Sequence, residues 1–383
     1  MTEMQAQESV YLDHAATTPL RPQALEAMLP YLKEHYGNPS AVYALGRTVR
    51  AQLDACRDRM AAILRCQPGE LYFTSGGTEA INLALHGYAR AHRDQGRHLL
   101  VSAIEHHAVL HAAKALADEG FEVEEIPVDR YGRVHVDEVA GRLRKDTLLV
   151  AVMHANNEIG TIQPIAELGK LCQDHRVALH VDAVQTAGHL SLMDLDHAAF
   201  ISISAHKFGG PKGVGALVAR RGRRLLPILY GGGQERELRA GTENVPCIVG
   251  MTVALESAHA ELAGEESRLR RLAQDLRNRL SRIPGTVFNS RPELCLPHIV
   301  NVCFEEISGE SLLYLLDRAG IAAASGSACS AGSTLVSHVL LAMGLPRTLA
   351  AGALRLSLGY SSTEEDIARL MPVLQACVER LRR

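Results

Sequence analysis

The sequence predicts an α/β protein, a large unit built on a mainly parallel seven-stranded sheet between helices and joined to a smaller α+β unit. Two observations carry this expectation. From residue 71 to about 219, short apolar runs alternate with amphipathic stretches, the pattern of a parallel sheet covered by helices. Near Met251 the texture changes to a long periodic stretch rich in leucine. In chain order the candidate strands are Leu71–Thr74, His98–Ala103, Glu122–Pro127, Thr147–Met153, Ala178–Val181, Ala199–Ser204 and Gly215–Ala219. Between them, Glu79–His92, His107–Asp118 and Ile165–Asp174 place apolar residues three and four apart, the helical spacing. Leu255, Leu262, Leu269, Leu272, Leu276 and Leu280 share one helical face that stops at Pro284-Gly285, and this stretch reads as a helix bridging two units. Beyond it, Val287–Phe288, His298–Phe304, Ile321–Ala324 and Ala353–Leu358 are candidate strands of the smaller unit. A last helix, Thr363–Arg382, opens on a capping-box pattern of Ser362 and Glu365. The expected division is residues 16–255 for the large unit, with 1–15 and 256–383 forming the smaller one.

With 383 residues, the chain has room for two or three domains of about 100 to 200 residues each, and two are expected. Hydrophobic residues make up 47% and charged residues 22%, values of a soluble globular chain. A formal net charge of -3 gives no argument for nucleic acid or an anionic membrane. Arg220, Arg221, Arg223 and Arg224, and Arg268, Arg270 and Arg271, read as solvated surface. The amino end, MTEMQAQESV, lacks the apolar core of a signal peptide, and no apolar run is long enough to span a bilayer, so a cytoplasmic location is expected. Eight cysteines are scattered singly, which indicates neither a disulfide framework nor a structural metal site. Seven of them, Cys56, Cys66, Cys172, Cys247, Cys295, Cys303 and Cys377, sit in apolar or helical surroundings and are expected to be buried and inert.

The segment Ala198 to Gly215, AAFISISAHKFGGPKGVG, delivers Lys207 from a strand into a turn of small residues. Upstream, the apolar run ALHVD ends in Asp182, with Gln185 close behind. An aldehyde cofactor needs a lysine to hold it as a Schiff base and an acid to keep its pyridine nitrogen protonated, so the pair points to pyridoxal phosphate. Taken singly, each has a plainer reading, the lysine as a solvated loop residue and the aspartate as a turn former. The surrounding Ser204, His206, Gly209, Gly210, Gly213 and Gly215 favour the site, because backbone and polar donors can approach a ligand closely there. Thr74-Ser75-Gly76-Gly77-Thr78-Glu79 is a strand, a small-residue turn and a helix start, the arrangement that cradles a phosphate. His106 and Asn157 each end a strand on the same rim. His106 would stack on a cofactor ring or act as an acid or base, and a metal pair of His107 and His111 lacks a third ligand. Cys329 differs from the other cysteines: its neighbours in Ser325-Gly326-Ser327-Ala328-Cys329-Ser330-Ala331-Gly332-Ser333 cannot form much core, so its thiol is open either to chemistry or to no role at all.

The motifs TSGGTEA, AIEHHAVL, MHANNEIG, HVDAVQ, SAHKFGGPKG, GGGQER, AGTENV and SGSACS, flanked by Tyr11–Pro19 and Ser357-Leu358-Gly359, closely resemble the group I cysteine desulfurases of iron-sulfur cluster assembly and nitrogen fixation. The resemblance implies a fold-type I pyridoxal phosphate enzyme, a homodimer, acting on L-cysteine. It implies Lys207 as the Schiff-base lysine, Asp182 as partner of the pyridine nitrogen, Gln185 as partner of the phenolic oxygen and His106 as the ring-stacking histidine. Gly77, Thr78, Ser204 and His206 would hold the phosphate, joined by Thr242 from the second subunit. Asn157 and Arg355 would lie near the substrate carboxylate, and Cys329 would be the nucleophile that takes sulfur as a persulfide, on a mobile loop, for an acceptor protein. No membrane or nucleic-acid partner is expected. In the cluster-assembly branch a further tail docks the scaffold, whereas this sequence stops at Arg383, so docking by that route is not expected. Tyr360 stands where the resembling proteins often have arginine. Two other readings remain open at this level, a selenocysteine lyase or related pyridoxal phosphate lyase, and a non-catalytic partner in sulfur transfer.

Overall fold

A computed structural model describes residues 9–326 and 336–383. A short strand, β1 (Val10–Tyr11), leads into two helices, α1 (Pro22–Lys33) and α2 (Ala44–Ile63). The sequence reading passes over both helices, although Val49, Leu53, Cys56 and Met60 of α2 form a buried stripe at helical spacing.

The next elements are β2 (Leu71–Thr74), α3 (Gly77–Ala91), β3 (His98–Ser102), α4 (His107–Asp118), β4 (Glu122–Ile126), α5 (Val136–Arg142), β5 (Thr147–Ala151), α6 (Ile165–Asp174), β6 (Ala178–Asp182), β7 (Phe200–Ser204) and β8 (Gly215–Ala219). Their strands form one seven-stranded sheet in the order β2-β8-β7-β6-β5-β3-β4. All neighbours run parallel except around β8, which is antiparallel to both β2 and β7. The mainly parallel sheet expected from the sequence is therefore present. Alternate side chains face opposite layers. Val150, Leu179 and Ile201 join a core with α2 and α6, while Leu149, Ala178 and Phe200 join a second core with α3 and α4. The outer strand β4 carries Glu122, Glu124 and Glu125 and is partly exposed, a charged edge that discourages pairing with another chain.

Helix α7 (Val245–Leu280) opens on an N-cap, Asn244, and begins earlier than the change in texture near Met251 suggests. Its first half puts Ile248, Met251 and Leu255 into the α2 core, and its second half puts Leu269, Leu272, Leu276 and Leu280 into a third core. That third core also takes side chains from β10 (Ile299–Phe304), which follows β9 (Thr286–Phe288), from α8 (Gly309–Arg318) and from β11 (Ile321–Ala322). After α9 (His338–Ala342) and α10 (Arg347–Ala350), β12 (Ala353–Ser357) and α11 (Glu364–Leu381) complete it. β12, β10 and β9 form an antiparallel sheet, and β1 pairs in parallel with β11, so Val10 and Leu12 also enter this core.

The cap of α11 lies one residue later than the sequence pattern suggests. Thr363 and Asp366 form the reciprocal box, because the Ser362 hydroxyl is already engaged by the Gly359 amide at 2.9 Å. Among the described residues no helix is long and apolar enough to cross a membrane.

Candidate active site

The carboxyl ends of the parallel strands open on a cavity of about 350 Å³, where open α/β sheets hold their ligands. It is lined by Gly77, Thr78, His106, Asn157, Asp182, Gln185, Ser204, His206, Lys207 and Arg355, so ten of the residues singled out from sequence converge on one place. Thr242 does not line it; it is exposed in the turn that precedes α7. Cys329 lies outside the described residues.

The cradle comes from the turn between β2 and α3. Gly76, the N-cap of α3, has φ +155 and ψ -177, a conformation open in practice only to glycine. A Cβ on Gly77 would lie 2.8 Å from Val184 Cγ2 and 3.5 Å from Ser204 Cβ, so glycine lets the first turn of α3 approach the cavity wall. The amides of that turn and the helix dipole favour an anion. Helix α3 thus starts two residues before the stretch that periodicity alone suggests, because its glycines carry no apolar signal.

His106 caps α4. Its Nδ1 accepts the Ala108 amide at 3.1 Å, which leaves the ring proton on Nε2. Burial first, and then the neighbouring Lys207 and histidines, push its pKa down to about 4, so the ring is uncharged near neutrality. Asp182 ends β6, and its Oδ1 accepts the Val184 amide at 2.9 Å. Burial pushes its pKa up to about 6, against the opposing effects of that hydrogen bond and of Lys207. A cation brought against this carboxyl would therefore be held strongly.

Lys207 ends a single turn that follows β7, and its Nζ donates to the carbonyls of Ala15 at 2.6 Å and Ala16 at 2.9 Å. Gln185 Nε2 donates to the same Ala15 oxygen at 2.9 Å, and His206 Nδ1 lies 3.1 Å from Thr17 Oγ1. The turn after β1 therefore straps three site residues together. Sequence reasoning quoted this turn but assigned none of its residues to the site, because backbone carbonyls carry no residue-type signal. Met153, Ile81 and Val184 were missed for a related reason: they are apolar wall, like most of the core. Arg355, on β12, is 2% exposed and reaches the cavity with Nη1 on the Asn157 carbonyl at 2.9 Å and Nη2 on Asp13 Oδ1 at 2.7 Å.

Buried Glu158 accepts the Ser337 hydroxyl at 2.5 Å, and a Cβ on Gly326 would lie 2.6 Å from the same carboxylate oxygen. One carboxyl thus touches both flanks of segment 327–335. Of the seven cysteines described, Cys56, Cys172, Cys295 and Cys303 are buried, whereas Cys66, Cys247 and Cys377 are only half-buried, contrary to the expectation for those three. Desolvation raises every one of these thiols, Cys66 and Cys303 to about 11 and Cys172 to about 12, so none is a primed thiolate.

This donor set fits pyridoxal phosphate: a glycine-lined anion cradle, an amine at the cavity wall, and a buried carboxyl poised for a cation. Comparison with known proteins agrees. A family model described as aminotransferase class-V matches residues 10–370. The cysteine desulfurase IscS of Methanosarcina thermophila is 48% identical over 98% of this chain and 93% of its own length. A putative cysteine desulfurase IscS 1 of Bacillus subtilis is 43% identical over 98% of this chain and all of its own. A solved NifS-like protein superposes with a TM-score of 0.91 at 37% identity, covering 97% of this chain and 99% of that one. Architecture, cavity and near full-length similarity converge, and the chain belongs to the cysteine desulfurases of the aminotransferase class-V family.

Proposed function

We propose that this chain removes sulfur from L-cysteine with pyridoxal phosphate, giving L-alanine and a persulfide on Cys329. The observation that carries the reading is the single cavity that joins Lys207, Asp182, the Gly77 cradle and Arg355. Bound pyridoxal phosphate supplies an electrophilic carbon and a pyridinium ring that draws electrons from the substrate Cα.

Gly77, Thr78, Ser204 and His206 would hold the phosphate, with Thr242 contributed by the second subunit of a homodimer. Asp182 would face the pyridine nitrogen, Gln185 the phenolic oxygen, and the uncharged His106 ring the cofactor ring. Lys207 Nζ would hold the aldehyde carbon, and its amine would move the proton at the substrate Cα. The carbonyls of Ala15 and Ala16 are where this amine rests. Arg355 and Asn157 grip the substrate carboxylate, for which a guanidinium is suited. The Cys329 thiolate forms a bond to the substrate sulfur as the substrate C–S bond breaks. The electron pair stays with the carbon fragment, which is protonated to alanine, and the persulfide passes to an acceptor protein in iron-sulfur assembly or thiolation, in the cytoplasm. The unit formed by residues 1–15 and 256–383 brings Arg355 to the cofactor unit, 16–255, and has Cys329 in its sequence. The third core, in which Val10 and Leu12 pack with α7, β10 and α11, supports that division.

Mass spectrometry of the holoenzyme after exposure to L-cysteine tests the reading. One added sulfur should sit on Cys329, and Cys329→Ala should lose it while keeping the cofactor absorbance. Normal turnover in that variant, or borohydride trapping of the cofactor on a residue other than Lys207, overturns the assignment.

A further inference from the structure

Arg355 is buried to 2% exposure in the cavity wall, and its guanidinium plane is fixed from several sides. Its residue is laddered opposite Asn301 on β10, Nη1 is bound to the Asn157 carbonyl, and Nε is enclosed without a hydrogen-bond partner among the described residues. Asp13 takes Nη2 at 2.7 Å from behind, its side chain 19% exposed, and does not line the cavity. Its backbone is itself held, since the Tyr11 hydroxyl donates to the Asp13 carbonyl at 3.1 Å. With burial and the Asn157 carbonyl already orienting Arg355, the distinctive contribution of Asp13 is a negative charge rather than a direction.

We propose that Asp13 is the resident counter-ion of Arg355, competing with the α-carboxylate of substrate and product for one guanidinium and so setting how tightly either is held. The proposal rests on the reading of Arg355 as the carboxylate receiver. Before a substrate carboxylate arrives, Asp13 gives this buried cation an anionic partner, without which it would be costly. An incoming carboxylate then meets a guanidinium already half-committed to an anion, with a second carboxylate close behind it. Two such charges about 6 Å apart at an effective dielectric of about 20 weaken binding by up to about a hundredfold, and by less where water and salt screen the partly exposed Asp13. Alanine carries the same carboxylate as cysteine, so the counter-ion loosens the product as much as the substrate. Equal tightening of both would lower KM without raising kcat.

The test titrates the holoenzyme with L-alanine and with ethylamine, which lacks only the carboxylate, following the cofactor absorbance. Asp13→Asn keeps an oxygen for the Nη2 hydrogen bond and removes the charge. The expected result is L-alanine bound about tenfold or more tightly, with ethylamine unchanged. Asp13→Ser should act in the same direction should the asparagine variant not fold, and Asp13→Glu should stay near the native affinity. L-alanine bound no more tightly by the neutral variants, or both ligands shifting together, overturns the proposal. Arg355→Met separates the underlying reading: if the ratio of alanine to ethylamine affinity is unchanged there, Arg355 is not the carboxylate's partner.

Discussion

Glu105, next to His106 at the end of β3, is wholly buried, and its Oε1 accepts the Met153 amide at 2.6 Å. Burial first, and then the charge of Asp182, raise this carboxyl well above its ordinary range. In the unfolded chain it ionises near pH 4.3. Between that pH and its raised native value the folded protein keeps a proton that the unfolded chain has lost. Stability therefore falls as pH rises, by about 1.4 kcal/mol per unit. Glu105→Gln preserves the shape and removes the titration. Denaturant unfolding should find the variant and the native protein alike near pH 4, with the variant increasingly the more stable as pH rises from there toward the raised native pKa; a difference that does not change with pH would refute this. The sequence places Glu105 just past a strand, but its raised pKa follows from burial and from Asp182, 77 positions away along the chain.

The GGGQER segment is a strained strap. Glu235, Arg236 and Glu237 lie in succession at φ 45, 57 and 65, left-handed positions that cost residues with a Cβ about 1–2 kcal/mol each. Side chains hold the strap in place. Arg57 grips Glu235 through both carboxylate oxygens, the Phe73 amide donates to Glu235 at 2.9 Å, and Arg236 reaches the Leu71 carbonyl at 2.6 Å. Phe73 and Leu71 belong to β2, which leads into the anion cradle, and Arg239 further ties the strap to Glu79 in the first turn of α3. Glu235→Ala leaves the buried Arg57 unpaired and should cost about 3–5 kcal/mol by denaturant unfolding, with faster loss of cofactor from the holoenzyme. A loss under about 1 kcal/mol with native cofactor retention would show that the strap does not hold the cradle. The motif is visible in sequence, but nothing in Gln-Glu-Arg signals left-handed backbone, because the compensating contacts come from α2 and β2.

Helix α7 shares its length between two cores. Its 36 residues span about 54 Å. Ala258 is its last residue in the α2 core and Leu269 its first in the third core. Ala263→Pro, in the exposed stretch between them, removes an intrahelical hydrogen bond at a cost of about 3 kcal/mol. Calorimetry should show one unfolding transition for the native protein and two for the variant. A variant that still unfolds in one step would mean that the cores are coupled mainly through other contacts.

The alternation of strands and helices, the seven strands of the large sheet and ten of the polar and glycine residues that line the cavity were legible in the sequence. Hydrophobic period and side-chain chemistry are local properties that survive without any knowledge of what lies alongside. Other features required the folded chain: β8 inserted antiparallel between β2 and β7, the carbonyls of Ala15 and Ala16 under Lys207, and Asp13 behind Arg355. These depend on burial and on pairing between residues up to 342 positions apart. A charge is neutralised, a proton retained or a carbonyl made useful only by neighbours that distant parts of the chain bring to it.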